Sequence, residues 1–265
     1  MYPRIMHIYG PFCVQSYGVM IVLGFSMFLL CTFYNKKRRE IICDDQYLNT
    51  MIIGLISGLI GGRAFFVFYE WSSFAKNWLN IFRVWDGGFV ILGSILGVLL
   101  TLSIYLWWIE VAIFKYFDLI AIYVPIVQAF GRIGCFLAGC CYGVECYDNL
   151  FAVIFTNTNS IAPLNVPLYP TQLYLSVTSL LIFVALFLLR NVLNKNGQIT
   201  FAYLCFDSLA RFFIDFYRGD RGDLTHFNFL NCDFLLSGIQ VSVLVVLIGA
   251  LGAFFTIGLY NKKTQ

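Results

Sequence analysis

Seven long apolar runs divide this chain, at about residues 14–34, 48–69, 88–108, 112–130, 171–190, 198–217 and 236–259. A helix crosses a bilayer core about 30 Å thick with roughly 20 apolar residues, and each run is close to that length. The runs are continuous and lack the in–out alternation of a barrel strand. Helices are therefore expected, because lipid obliges each segment to satisfy its own backbone polar groups. The expected fold class is an all-α polytopic membrane protein of about seven transmembrane helices, with 1–265 forming a single membrane domain. Composition agrees: 60% of the 265 residues are hydrophobic and 12% are charged, against about 25% charged in a soluble domain. That balance excludes a soluble globular protein, a disordered chain and a nucleic-acid binder. Membrane lipid is an expected partner and nucleic acid is not.

Charge placement gives an orientation. Lys36, Lys37, Arg38 and Arg39 follow the first run, which reads as a retained helix and not a cleaved signal. Positive loops stay cytoplasmic, so the N-terminus is expected outside and, after seven spans, the C-terminus in the cytoplasm. Arg190, Lys195, Lys262 and Lys263 fall on the same inner side. The long polar segment 143–168 then becomes a small extramembrane cap on the outer face, with a short strand in "LFAVIF" (150–155) and turns at its Asn and Pro residues.

Polar exceptions inside the runs carry the chemistry. A charge at mid-bilayer costs roughly 2.5–3.5 kcal/mol on insertion scales, so it needs a partner or a task. Arg132 lies in "QAFGRIGCFLAGCCYG" (128–143), and Asp207, Arg211, Asp215 and Arg218 share one helical face at i, i+4, i+8 and i+11. One reading is a self-neutralised stripe in which Asp207 and Asp215 pair with Arg211. The other is an outward polar cavity for an anionic headgroup, because arginine binds phosphate oxygens bidentately and keeps its charge in low dielectric. Gly54, Gly58 and Gly62, and then Gly93 and Gly97, recur every four residues and read as close helix packing. Arg63, beside a glycine pair, and Asp86 in "WDGG" (85–88) add candidate substrate-binding groups.

The nine cysteines include an outer cluster, Cys135, Cys140, Cys141 and Cys146, with Cys232 in another outer loop. The spacing C-x4-C-C-x4-C matches no standard zinc pattern and has no nearby His, so no metal is expected. A disulfide such as Cys146–Cys232 suits an oxidising compartment better. His7, in the N-terminal tail, and His226, in a loop, read as surface polar residues.

At "GRIGCFLAGCCYG" (131–143) the chain resembles the bacterial prolipoprotein diacylglyceryl transferases. Further stretches match in the family's order: "VQSYGVM" (14–20), "GGRAFFVFYEW" (61–71), "WDGGFVILGSILG" (85–97), "YPTQLY" (169–174) and "ARFFIDFYRG" (210–219). The resemblance implies an enzyme of the bacterial inner (plasma) membrane, with its active site facing the outer leaflet. Its implied partners are phosphatidylglycerol and the signal peptides of lipoprotein precursors. Diacylglyceryl would pass from phosphatidylglycerol to the lipobox cysteine thiol, without metal or soluble cofactor. By motif position, Arg132, Arg211 and Tyr17 match the family's functional residues, as does Gly143, while Asp215 stands at its acidic position.

With Asp207 as a candidate base, the expected catalytic set is Arg132, Arg211, Tyr17 and Asp207. Arg132, Gly143, Gln172, Asp215, Arg218, Arg63 and Asp86 are expected to bind substrate. The family pattern is broken at Leu92, where many members carry His or Tyr. It is also broken at Cys135, Cys140, Tyr169, Leu175 and Asp207. Tyr169 is a second candidate base. Three alternatives follow: an impaired relative that binds phospholipid or lipoprotein precursors, a membrane thiol oxidoreductase using the outer cysteines, and a transporter. The absence of C-x-x-C weighs against the second, and the absence of an internal repeat against the third.

Overall fold

A computed structural model describes residues 2–9, 12–75, 78–83, 88–147, 151–219, 224–229 and 232–260. It is mostly helical. Among the described residues, four helices are long and apolar enough to cross a membrane: α1 (Ser16–Phe33), α3 (Asp44–Tyr69), α5 (Ile91–Trp108) and α8 (Thr171–Leu189). A fifth crossing is available if α6 (Ile113–Ala121) and α7 (Val124–Ala138) count as one span bent by 44°. The expected fourth run, 112–130, is thus two helices. Pro125 in the first turn of α7 has no N–H to continue α6, which explains the break. α9 (Gln198–Asp215) carries the charged face. α10 (Gly238–Tyr260) follows, its apolar described part being Gln240–Phe254. Short helices α2 (Lys36–Arg39) and α4 (Trp71–Phe74) and a 3-10 turn, Trp78–Phe82, complete the helical set.

The chain divides into two compact units. One comprises residues 35–116. Asp44 and Asp45 open α3 where the positive end of its dipole favours carboxylates. Arg38 is fully buried: it pairs with Asp44 and stacks on the Tyr47 ring, 4.9 Å from its centroid. α3 and α5 lie backbone to backbone through their glycines. A methyl on Gly97 would stand 2.7 Å from the Ser57 carbonyl oxygen, and one on Gly58 3.3 Å from Val98. Gly61, outside the four-residue repeat, and Gly93 approach each other's carbonyls, and a methyl on Gly62 would meet the Ser94 hydroxyl. Thr50 and Tyr116 share a buried hydroxyl–hydroxyl hydrogen bond of 2.6 Å.

The other unit joins residues 1–34 to 117–265. Its helices pack in the sequence α1–α7–α8–α9–α10. α1 approaches α7 through Gly24, Gly131 and Gly134. The Ser176 hydroxyl of α8 donates to the Ala129 carbonyl of α7 at 3.0 Å, and the Gln240 amide of α10 donates to the Phe212 carbonyl of α9 at 3.2 Å. Asp118 of α6 is buried and accepts from the Gly197 N–H, the Thr200 N–H (2.8 Å) and the Thr200 hydroxyl (2.7 Å). It caps α9 from a distant element and neutralises the orphan donors of that helix end.

Three two-stranded antiparallel hairpins decorate this unit. β1 (Arg4–Tyr9) pairs with β2 (Phe12–Gln15), β3 (Val153–Ile154) with β4 (Pro167–Leu168), and β5 (Leu224–Phe229) with β6 (Cys232–Ser237). The tail and loop expected around His7 and His226 are therefore strands in their backbone; the side chains of both lie outside the described residues. Ser16 at the start of α1 donates to the Tyr2 and Pro3 carbonyls, joining the first hairpin to the helix. The segment expected as a cap has its own small core of Phe155, Ala162 and Leu168, flanked by Phe136, Tyr142, Val153 and Val166. Of the described residues 151–155 in "LFAVIF", 153–154 are strand.

Candidate functional site

Arg132 and Cys135 sit one turn apart near the end of α7. The helix stops at Gly139, whose left-handed φ of +79° lets two N–H groups close on one carbonyl. Gly139 and Cys140 both donate to Cys135, at 2.9 and 3.1 Å. Cys141 is also left-handed, with φ +57°, a conformation that residues with a Cβ rarely adopt. These reversals fold the loop back over the helix end. The sulfurs of Cys135, Cys140 and Cys141 all lie within 4.8 Å of one another, and all three thiols are free.

The first turn of α8 holds this loop. Thr171 Oγ1 donates to the Cys141 carbonyl and Gln172 Nε2 to the Cys140 carbonyl, each at 2.8 Å. Both side chains are fully buried, and Gln172 Oε1 has no hydrogen-bond partner among the described residues. Beyond the loop, residues 142–144 run between two strands of backbone. Gly143 N–H donates to Tyr169 at 3.0 Å, Val144 N–H to Tyr217 at 2.9 Å, and Gly219 N–H to Tyr142 at 2.9 Å. Gly143 fits because a side chain there would meet the Tyr169 and Tyr217 carbonyls. The Tyr169 and Tyr217 rings meet edge-on with centroids 5.6 Å apart.

Tyr17, in the first turn of α1, lies over Gly134; a methyl on that glycine would be 3.1 Å from the Tyr17 ring. Arg132, Cys135, Cys140 and Cys141 all act electrostatically on Tyr17. The neighbouring Cys135 and Cys140 thiols, and then the Arg132 and Arg218 guanidiniums, hold the Cys141 thiol well below the usual thiol range. Tyr17, Arg132, Arg218 and the three cysteines therefore form one neighbourhood. Arg132 is half-buried and makes no ion pair or hydrogen bond among the described residues.

The acidic residues of α9 divide between two arginines. Asp207 binds Arg211 Nε at 3.0 Å, and Asp215 lies 3.7 Å from Arg218. The expected stripe is thus partly self-neutralised, with Asp215 on Arg218 instead of Arg211. Arg211 keeps 30% of its side chain exposed. Of the other expected residues, Arg63 belongs to the 35–116 unit and donates to the carbonyls of Asn80, Ile81, Arg83 and Gly88 at 2.8–3.2 Å. Asp86 lies outside the described residues, and Leu92 is an exposed residue of α5. Cys146 is a free, buried thiol, while the Cys232 side chain lies outside the description.

Sequence reasoning missed Thr171 and Tyr203. Thr171 braces the cysteine loop. Tyr203, one turn before Asp207, feels both Asp207 and Arg211. Its i, i+4 spacing to Asp207 was the available signal.

The residues that match by motif can now be set beside known proteins. The family described as prolipoprotein diacylglyceryl transferase matches residues 3–255. The phosphatidylglycerol–prolipoprotein diacylglyceryl transferase 2 of Clostridium perfringens (strain 13 / Type A) is 34% identical over 230 residues, 85% of this chain and 89% of that protein. The corresponding transferase of Clostridium tetani (strain Massachusetts / E88) is 31% identical over 265 residues, 99% of this chain and 100% of that protein. That of Clostridium botulinum (strain Langeland / NCTC 10281 / Type F) is 30% identical over 269 residues, covering both chains in full. The chain belongs to the prolipoprotein diacylglyceryl transferase family, a family of membrane enzymes.

Proposed function

We propose that this chain transfers the diacylglyceryl group of phosphatidylglycerol to the lipobox cysteine of lipoprotein precursors. The attacking group is the substrate's own thiol, only a few per cent ionised at neutral pH. A thioether C–S bond forms at the glycerol carbon, the C–O bond to phosphate breaks, and glycerol phosphate leaves with the electron pair. The thiol proton is lost to solvent or to a base. The protein's task is to meet charge on the departing phosphate and to favour the thiolate. Preorganised guanidiniums in a poorly hydrated site do both.

The carrying observation is Arg132: a half-buried guanidinium with no carboxylate partner among the described residues, beside Tyr17 and electrostatically linked, with Arg218, to one loop. A guanidinium with no carboxylate partner can take the oxygens of an anionic ligand. In our reading Arg132 and Arg211 take the phosphate, and Arg218 adds positive potential. Tyr17, Gln172 and Asp215 orient these groups, and Gly143 lets the loop approach. Asp207 holds Arg211 and is the candidate base. The resemblance alone adds Arg63 and Asp86, and the Arg63 guanidinium is bound to main-chain carbonyls of its own unit.

The same reading gives seven spans, an outward N-terminus and a cytoplasmic C-terminus, because the Lys36–Arg39 cluster favours the inner face. Residues 143–168 then cap the outer face, where phosphatidylglycerol and the precursor's signal peptide meet the site at the plasma membrane. Arg132→Ala should lower transfer from radiolabelled phosphatidylglycerol to a lipobox peptide at least about a hundredfold, the effect of removing one preorganised charge-stabilising donor. Full activity in a folded Arg132→Ala protein sinks the assignment.

A further inference from the structure

We propose that Cys135, Cys140 and Cys141 form a three-sulfur binding site for a soft divalent metal ion, Zn2+ or Cd2+ in chemical class. The spacing along the chain matches no familiar ligand pattern, but the fold converts it into a cluster. Metal–sulfur bonds of about 2.3 Å would set the sulfurs roughly 3.8–4.0 Å apart in a tetrahedral or trigonal site. The three sulfurs already lie within 4.8 Å of one another. Closing around an ion therefore takes side-chain adjustments of less than about 1 Å.

The scaffold under them is fixed. The Cys135 carbonyl is tied to the Gly139 and Cys140 N–H groups, the Cys140 carbonyl to Gln172, and the Cys141 carbonyl to Thr171. Thr171 and Gln172 are themselves fully buried. Cys141 also holds a left-handed backbone, a strained state that persists only where the surroundings impose it.

The number of thiols and their chemistry select the ligand. A disulfide would use two sulfurs and strand the third; three convergent sulfurs suit a metal. Sulfur donors favour soft ions such as Zn2+ and Cd2+ over Mg2+ and Ca2+, which require oxygen ligands. Three thiolates around a divalent ion leave one net negative charge, and Arg132 lies one turn before Cys135 on the same helix. Three protein ligands leave a fourth coordination position open. The site depends on none of the transfer chemistry proposed above.

The test uses the full chain, purified in detergent, stripped with a chelator and kept reduced without added thiol. Cysteine alkylation is mapped by mass spectrometry with and without Cd2+, and thiolate-to-metal charge-transfer absorption is followed on titration. We expect one equivalent of Cd2+ per chain, competition by Zn2+ and not by Mg2+, and joint protection of Cys135, Cys140 and Cys141. Cys43 and Cys205 should stay as reactive as without metal. Cys140→Ser should weaken binding at least tenfold, whereas Cys205→Ser should not change it. The unsubstituted chain decides the matter without any variant: no charge-transfer band, or no joint protection of the three thiols, overturns the proposal. Loss of transfer activity in Arg132→Ala with Cd2+ binding intact would leave the metal site standing. Transfer intact in an unsubstituted chain that binds no Cd2+ would remove the site and leave the transferase.

Discussion

Gln172 donates its side-chain amide to the main-chain carbonyl of Cys140 at 2.8 Å, tying the first turn of α8 to the loop that leaves α7. The two residues are 32 positions apart, and the glutamine is fully buried. Gln172→Leu keeps the volume and removes the donor. It should cost about 1–3 kcal/mol, since the Cys140 carbonyl loses its partner. Thermal unfolding in detergent reads that loss, and transfer activity should fall further than stability alone accounts for, because the loop beside Arg132 loosens.

Gly143 is a close main-chain crossing in the same loop. A methyl there meets the carbonyls of Tyr169 and Tyr217, the second at 2.9 Å, and main-chain atoms in a ladder cannot step aside cheaply. Gly143→Ala should therefore break the register of residues 142–144 and abolish transfer. Gly249→Ala is the matched control, with nothing within 4 Å of the added carbon, and should behave as the parent in the same assay.

Arg63 clamps four main-chain carbonyls with one planar fork. Lysine keeps the charge but offers a single point of donation. Arg63→Lys should release the main chain at Asn80, Ile81, Arg83 and Gly88, and limited proteolysis should cut beside these residues faster than in the parent. Equal cleavage rates would show the clamp to be dispensable.

Asp118→Asn keeps the size of the cap on α9 and removes its charge. The lost charge-assisted bonds to Gly197 and Thr200 should cost about 1.5–3 kcal/mol. Unfolding in detergent measures it. Asp118→Ala, which also leaves the helix-end donors unpartnered, should be worse.

Much of this architecture was legible in the chain. The ends of α5 and α8 follow the edges of apolar runs, and the charged face of α9 follows from the spacing of Asp207, Arg211 and Asp215. The break between α6 and α7 was written in Pro125 but hidden by the continuous apolarity around it. The hairpins at 4–15 and 224–237 adjoin apolar runs, so their short strands merged into neighbouring helices or loops. Within the site, arginines were visible because charge is rare here. Gln172 was visible through the resemblance at "YPTQLY"; the bracing by Thr171 and the capping by Asp118 were not, because each bonds main-chain groups far along the sequence, and such pairings leave no local pattern.

The cap on α9 has a kinetic side. Asp118 reaches Gly197 across 79 residues, and the carboxylate precedes the helix it caps. As the chain emerges from the ribosome, α6 is complete long before α9 begins, so α9 starts against a waiting acceptor. The order of synthesis thus matches the order of assembly: the charged helix that carries Arg211 is the one whose first turn finds its partner already made.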